Sequence, residues 1–500
     1  MPKWCRTMRT TCRLRLCLVF VCSFNAFALA QDDLSKSESP PKFDVSPSLF
    51  SGGLLNQDKL LPTELTLEDI QQRLQKTLSP FRAVRENGLG IESAIERLVC
   101  IDGTLFDGYA SAPKSMLVRS PNELQVAVHN LEDALKDLPR GIDRASIDDP
   151  DLRRRAANGY LHRGRLLYGL GALDLAAADF ERASQWDADL PVKKWLQQCN
   201  IEADFGGQRG PSEAERAGLI AQSKRDPSTK SLSDLIAFLA QFPNDRQALA
   251  AVFALLDNPE LQFAELDDHS DDIENRMRQA KWHQTLPLAL TRLEIDCATR
   301  LIRSGDTTAR RRRAGVLLGR VQMYGVALLD TEVLVASPNA SAEDWLLHAK
   351  SWMFAGGSSM NDTYDNFQRA EAACEKALGL DPESFDAMYT QADIMQSRLQ
   401  FRVVPNSEVR EFTDKLNAKL SILIESAGQD AFKRVTALLL QGRVYEQSGM
   451  MKLAQDSFEK AYDIATANKL PQYLIESASR SRVRTSNIGR EPLPMLPDPQ

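Results

Sequence analysis

Two stretches of the chain, one near residue 160 and the other near residue 440, space large and small side chains in the same way. In AANGYLHRGRLLYGLGALDLAAADFERASQWDADLP, the repeating positions hold Tyr160, Gly164, Leu167, Gly171, Ala176, Phe180 and Ala183. In ALLLQGRVYEQSGMMKLAQDSFEKAYDIA, they hold Leu438, Gly442, Tyr445, Gly449, Ala454, Phe458 and Ala461. Two antiparallel helices approach closely only where small side chains face each other and large ones fill the space around them. The spacing therefore predicts two helical hairpins, each turning at a glycine.

This spacing resembles the tetratricopeptide repeat, a 34-residue pair of helices. Two further units fit in part. Ala370, Cys374, Ala377 and Pro382 match a second helix, and Met388, Ala392 and Met395 match the next first helix one period later. Trp345, Ala349 and Trp352 match a first helix displaced by nine residues, which predicts an insertion around GSSMNDTYD.

From Thr63 onward the pattern is predominantly helical, so we predict an all-α fold, a helical-hairpin (TPR-like) α-solenoid with degenerate repeats. Leu235, Leu239, Ala248, Val252 and Leu255 indicate a degenerate pair around the turn at 242–244, and a long helix is predicted from about Ser407 to Glu425. The predicted organisation is a signal peptide at 1–30, a flexible linker at 31–62, an N-terminal helical region at 63–150, a TPR-like unit at 151–200, degenerate helical repeats at 201–340, C-terminal TPR-like repeats at 341–480 and a disordered tail at 481–500.

The first thirty residues have the pattern of a secretory signal peptide. They contain five basic residues and no acidic one, then an apolar run from Leu16 to Phe27 and the small-x-small sequence Ala28-Leu29-Ala30. We therefore expect export to the periplasm or the extracellular space, with no membrane span after signal removal. The alternatives are an uncleaved membrane anchor and lipid attachment at Cys22.

Removal of this segment would make the chain more acidic. The net charge of the whole sequence is −7; without the five basic residues, 56 basic residues face 68 acidic ones, a net charge of −12. An acidic chain is a poor candidate for binding nucleic acid by neutralising phosphates. Four of the eight cysteines would also leave, and Cys100, Cys199, Cys297 and Cys374 would remain. Their spacing is too wide for a typical zinc site, and whether they form disulfides stays open.

No catalytic or cofactor motif is complete. The string CIDGTLFDG at 100–108 looks like the haloacid-dehalogenase phosphatase signature, but Cys100 stands where that family has its nucleophilic Asp, and Asp102 occupies the acid/base position. A thiol cannot form that family's aspartyl-phosphate, so we interpret the string as a loop. The five histidines form no metal-ligand pair, and the acidic string 267–272 lacks the Gly and Glu of an EF-hand. We predict no cofactor, no metal and no catalytic site.

The resemblance implies where a partner would bind, because in tetratricopeptide repeats the first helices line the concave face. On the matching positions, the predicted partner contacts are Leu161, Arg165, Tyr168, Lys350, Tyr389 and Arg443. Asp393 occupies the ninth slot of its repeat, as Lys350 and Arg443 do in theirs. The Lys and Asn of the subtype that grips a peptide C-terminus are missing, so a chaperone-tail receptor is not predicted.

These patterns favour a non-catalytic scaffold that binds an unidentified protein or peptide. One alternative is an enzyme whose active site lies in the poorly matched segments 63–150 or 201–340. Another is recognition of an anionic polymer through the basic runs 153–155 and 310–313, although pairing with nearby acidic side chains on solvated helix faces is the simpler interpretation of both runs.

Overall fold

The computed structural model describes residues 150–190, 192–205, 213–258, 261, 290–355, 360–405 and 407–488. These residues fall into two compact units, which we call the N-terminal unit (150–334) and the C-terminal unit (335–488). The predicted signal peptide, linker and most of the N-terminal helical region lie outside the described residues, as do Cys100 and the acidic string 267–272.

The N-terminal unit is built from helices in the part of the chain that the structure describes. They are α1 (Pro150–Leu170), α2 (Leu173–Trp186), α3 (Lys193–Asp204), α4 (Glu213–Arg225), α5 (Thr229–Gln241), α6 (Arg246–Leu256), α7 (290–303), α8 (Thr307–Val316), a π-helical turn (Leu317–Val321) and α9 (Tyr324–Val335). Helices α1 and α2 pack as a hairpin, and α5 and α6 pack around the turn that follows Gln241, as their sequence pattern predicts.

The α1/α2 hairpin has the close approach that its small residues predict. A Cβ atom built on Gly164 would lie 2.7 Å from Cε1 of Phe180 on α2, so only glycine fits there without a shift. At the turn, Gly171 has φ +85°, a left-handed conformation that glycine adopts without strain. The amide of Ala172 donates to the carbonyl of Leu167 at 2.9 Å and closes the end of α1.

Helix α7 crosses the ends of several other helices of this unit. Arg292 donates to the carbonyl of Gly169 at 2.6 Å, and Arg300 reaches the carbonyl of Glu202 at 3.3 Å. Arg300 also donates to Oδ1 of Asn244, in the turn between α5 and α6, at 3.3 Å. The apolar side chains of α7 pack with those of α5 and α6 in one buried cluster. Through these hydrogen bonds, one helix holds together segments that are 56 to 123 residues away in sequence.

The C-terminal unit is a run of seven helices over the described residues. They are α10 (Ala342–Phe354), α11 (Met360–Leu380), α12 (Phe385–Gln400), α13 (Val409–Ser426), α14 (Ala431–Gln447), α15 (Met451–Ala467) and α16 (Gln472–Ile488). Consecutive helices pack as pairs, α10/α11, α12/α13 and α14/α15, with α16 against α15. The first helices also contact one another, α10 with α12, α12 with α14, and α14 with α16. Over the described residues of both units no β-strand is formed, and the predicted all-α solenoid of helical hairpins is confirmed.

Three details of this unit refine the sequence analysis. Most of the insertion predicted around GSSMNDTYD forms the beginning of α11, which starts at Met360, so the insertion lengthens that helix. The long helix predicted from about Ser407 to Glu425 is α13, Val409–Ser426. The boundary of the disordered tail at 481 falls too early, because α16 continues to Ile488 and Arg484 forms an ion pair with Glu446 of α14.

The three described cysteines are all buried and carry free thiols. Cys199 lies on α3, Cys297 on α7 and Cys374 on α11. Burial raises the pKa of each of these thiols, so they stay protonated at neutral pH and behave as small apolar side chains.

Candidate functional site

The three predicted contact residues of the N-terminal unit are buried. The exposed fractions are 1% for Leu161, 1% for Arg165 and 0% for Tyr168. The guanidinium of Arg165 lies 5.5 Å from the centroid of the Trp195 ring, and the Tyr168 ring meets Trp195 edge-to-face at 5.8 Å. The structure therefore argues against direct partner contact at these positions, because Trp195 of the neighbouring helix α3 covers Arg165 and Tyr168, and Leu161 is buried as well.

The basic run 310–313 is used inside the N-terminal unit. Arg310 pairs with Asp330 at 2.9 Å, and Arg312 pairs with Glu294 at 2.5 Å. Arg313 donates to Asp330 at 2.7 Å and to Asp174 at 2.5 Å, and its exposed fraction is 0%.

These pairs correct one expectation about the basic run and support another. The predicted pairing with acidic residues is present, but Arg313 is not on a solvated face. Its two carboxylate partners raise its pKa against the opposing effect of burial, so it remains charged. Arginines that are already paired with carboxylates offer little to an anionic polymer, which weakens that alternative.

The predicted contacts of the C-terminal unit lie on one surface. We call this surface the first-helix face; it is the side of α10, α12 and α14 that carries Lys350, Tyr389, Asp393 and Arg443. Lys350 is partly exposed, whereas Tyr389 and Arg443 are largely buried. The adjacent first helices α12 and α14 pack through an apolar cluster that includes Ala392 and Val444. This cluster lies beneath the face and holds the two helices in place.

Asp393 lies in the ninth slot of its repeat on this face, although it is not among the predicted contacts. Its exposed fraction is 8%, and that of Arg443 on the neighbouring helix is 9%. Burial raises the pKa of Asp393, and the charges of Arg443 and Lys350 act in the opposite direction. Three charged side chains of alternating sign thus follow one another in the ninth slot of three successive repeats. That shared slot is the signal that could have identified Asp393.

The borders of the first-helix face are occupied by groups with partners of their own. Glu446 pairs with Arg484 of α16, and the ammonium of Lys433 lies 5.2 Å from the centroid of the Phe385 ring. On α10, Nε1 of Trp352 donates to Nε2 of His348 at 2.9 Å. Burial lowers the pKa of His348 to about 4, so this imidazole is neutral at physiological pH and accepts a hydrogen bond.

The described residues show no arrangement typical of metal chemistry. No group of three or more His, Cys, Asp or Glu side chains in them could hold a metal ion. The string 100–108 lies outside the described residues, so the structure does not test its interpretation as a loop. Among the described helices, none is long and apolar enough to cross a membrane.

Comparison with known families agrees with the hairpin geometry at the C-terminal end. Residues 435–468 match the family model of the tetratricopeptide repeat. The match begins within α14 and includes all of α15, the hairpin in which Gly442 faces Phe458. No curated protein matches the chain at a significant level. A tetratricopeptide repeat within a stack of helical hairpins supports a role as a protein-interaction scaffold.

Proposed function

We propose that the protein is a non-catalytic scaffold that binds another protein or a peptide on the first-helix face of its C-terminal unit. The observation that carries this proposal is the side-by-side packing of α10, α12, α14 and α16, because it presents equivalent side chains of successive repeats on one surface. Arg, which is enriched at binding hot spots, occupies that surface at Arg443, whereas the predicted contact Tyr389 packs in the apolar cluster beneath it.

The contrast in burial favours the C-terminal unit over the N-terminal one. Arg165 and Arg443 occupy the same slot of two matching repeats. Arg165 lies against an aromatic ring of its own chain at 1% exposure, whereas Arg443 retains 9% and lies on the same helix as the partly exposed Glu446, three residues further on.

We propose that this scaffold works in the cell envelope or outside the cell. The support is the basic, then apolar, then small-residue pattern of residues 1–30. Fusion of these thirty residues to a reporter that is active only after export tests the proposal. Export that persists when the apolar run Leu16–Phe27 is interrupted by two Asp substitutions would contradict it.

Site-specific photocrosslinking in the native host tests the binding function. A photoreactive residue in place of Gln447, exposed at the end of α14, should capture a partner. The matched position is Asp414, exposed on the second helix α13, and it should capture none or a different set. The same recovery from both positions, or no adduct from either, would count against the first-helix face as the binding surface.

The two alternatives predict different outcomes. A polyanion binder would be retained on a heparin column and released by moderate salt, with a steep dependence on ionic strength. An enzyme in segments 63–150 or 201–340 would keep its activity when the first-helix face is altered. If the protein is a scaffold, altering the first-helix face abolishes partner binding, and that binding does not depend steeply on ionic strength.

A further inference from the structure

Asp393 and Arg443 are two buried charges whose hydrogen-bonding capacity is largely unused. The guanidinium of Arg443 donates through Nε to the carbonyl of Leu439, in its own helix, at a long 3.4 Å. Within the described residues, neither side chain forms an ion pair, and Asp393 forms no hydrogen bond. Each retains a small exposed fraction, 8% and 9%, on the first-helix face.

Two other buried carboxylates of this chain, by contrast, accept hydrogen bonds from arginine. Asp179 accepts two hydrogen bonds from Arg163, at 2.6 and 2.8 Å. Asp330 accepts from Arg313 in the same way, at 2.7 and 2.8 Å. A charge taken out of water without hydrogen bonds destabilises a fold, so the exception at Asp393 requires a reason. Such unsatisfied groups are typical of binding sites, where the ligand supplies the missing partner.

We propose that Asp393 and Arg443 bind the main chain of an extended peptide, with Asp393 accepting a hydrogen bond from an amide N–H and Arg443 donating to a nearby carbonyl. This inference rests on the proposed peptide-binding function and adds the chemistry of the ligand. A peptide unit offers both a donor and an acceptor and carries no net charge.

Charge complementarity selects the main chain over a charged side chain. An acidic side chain that approached Arg443 would also approach the carboxylate of Asp393, since the two residues influence each other electrostatically. A basic side chain that approached Asp393 would meet Arg443 and Lys350 on either side. Only a group with both donor and acceptor character satisfies the pair without repulsion.

The surroundings keep the pair in place for such a ligand. Helices α12 and α14 pack directly through an apolar cluster that includes Met395 and Leu440, so the spacing between the two charged residues is fixed before binding. Glu446 is occupied by Arg484 and does not compete for Arg443. A preorganised polar pair loses little conformational entropy when it binds.

Selection from a library of random 12-residue peptides, followed by backbone substitution, tests the proposal. The full chain is used to select peptides, and the affinity of one selected peptide is measured by calorimetry. Each amide of that peptide is then replaced in turn by an ester, which removes a single N–H donor. We expect one ester to weaken binding about tenfold, because a hydrogen bond to a charged group contributes at least that much.

Two variants test whether Asp393 and Arg443 are the residues that bind this part of the peptide main chain. Asp393→Leu and Arg443→Met should each weaken binding about tenfold or more. The ester that weakens binding to wild type should cause no further loss of affinity for Asp393→Leu. The controls Asp414→Leu and Arg480→Met remove the same charges at exposed positions, and both should bind like wild type.

Thermal unfolding of the free protein distinguishes a binding role from a structural one. Asp393→Leu and Arg443→Met remove largely buried charges that form no ion pair within the described residues, so their Tm should equal or exceed that of wild type. A fall in Tm for both variants would indicate a structural pair and overturn the inference.

The binding outcomes are equally decisive. If no ester matters and truncation of an acidic side chain of the peptide abolishes binding, Arg443 recognises a side chain and the inference is wrong. If the peptide binds all variants equally, the inference fails while the proposed function stands. If no peptide is selected and photocrosslinking yields no partner, the proposed function itself fails.

Discussion

The hairpins α1/α2 and α14/α15 share one internal geometry and have different surroundings. In both, a glycine of the first helix, Gly164 or Gly442, lies against a phenylalanine ring of the second, with no room for a Cβ atom. Their turn glycines differ. A Cβ atom on Gly171 would lie 2.5 Å from Cβ and 3.0 Å from Cα of Asp296 on α7, whereas one on Gly449 would meet nothing within 4 Å.

This difference separates what a repeat motif specifies from what it leaves open. The motif specifies contacts between two helices close in sequence, and those contacts are the same at both ends of the described chain. It does not specify which other elements pack on the hairpin. In the N-terminal unit α7 covers the turn, while in the C-terminal unit the corresponding turn lies open.

The largest expected effect is on the buried ion pairs of the N-terminal unit. Arg313→Met removes the partner that Asp330 and Asp174 share, leaves Asp330 with Arg310 alone, and should lower the free energy of unfolding by about 3 kcal/mol. Arg484→Met in the C-terminal unit breaks a partly exposed pair and should cost about 1 kcal/mol or less. Urea unfolding combined with hydrogen exchange of α2 and α15 measures both, and equal losses would contradict the comparison.

The turn glycines should respond unequally to the same substitution. Alanine at a left-handed position costs about 1 to 2 kcal/mol, which applies to Gly171→Ala (φ +85°) and to Gly449→Ala (φ +73°). Gly171→Ala adds a collision with the backbone of Asp296, so its total should reach about 3 kcal/mol. Chemical denaturation of the two variants gives the difference, and a smaller loss for Gly171→Ala would mean that α7 does not seal the turn.

The glycines inside the hairpins should respond equally. Gly164→Ala and Gly442→Ala both force a buried phenylalanine ring to move, at about 1 to 3 kcal/mol, partly offset by about 1 kcal/mol from the better helix propensity of alanine. The net loss should agree within about 0.5 kcal/mol between the two variants. Thermal melts of both test this equality; a strong inequality would show that the surroundings influence even the motif's own contact.

The smallest expected effect is a pH dependence confined to the C-terminal unit. The pKa of His348 is lowered to about 4 in the folded state, below the ordinary value of 6.5. The unfolded chain therefore binds the proton first, and stability falls as the pH drops from about 6.5 to about 4. Solvent screening limits the loss to about 1 kcal/mol.

Nuclear magnetic resonance titration of the imidazole checks this pKa directly, and an ordinary pKa near 6.5 would contradict it. The control His348→Gln keeps an acceptor for Trp352 and should flatten the pH profile of α10 unfolding. A profile that is unchanged in His348→Gln would assign the pH dependence to another group.

Sequence spacing predicted the local part of this structure. The hairpins at Gly164 and Gly442, the pair α5/α6 and the helix α13 all depend on side chains within about forty residues of each other. What it missed depends on distant partners. Arg313 and Asp174 lie 139 residues apart, and Arg292 reaches a carbonyl 123 residues away. No periodicity encodes such contacts, so the burial of Arg313 could not be predicted. Arg165 is covered by Trp195, which is only 30 residues away but lies on a helix beyond the hairpin that the motif describes.

The candidate site was predicted in part for the same reason. The resemblance to the tetratricopeptide repeat assigned Lys350, Tyr389 and Arg443 to the first helices of successive repeats, and the structure places them on α10, α12 and α14. The repeat pattern could not single out Asp393 as a binding residue, since that proposal depends on the absence of a hydrogen bond to it within the described residues.

The covering of the α1/α2 turn by α7 has a consequence for how this gene could change. Repeat proteins commonly gain or lose length by duplication or deletion of one hairpin, since each contacts only its neighbours. Helix α7 joins the ends of α1 and α3 and the turn between α5 and α6, so loss of any one of them removes contacts of the others. Changes in repeat number should therefore be tolerated among α10–α16 and selected against within α1–α9.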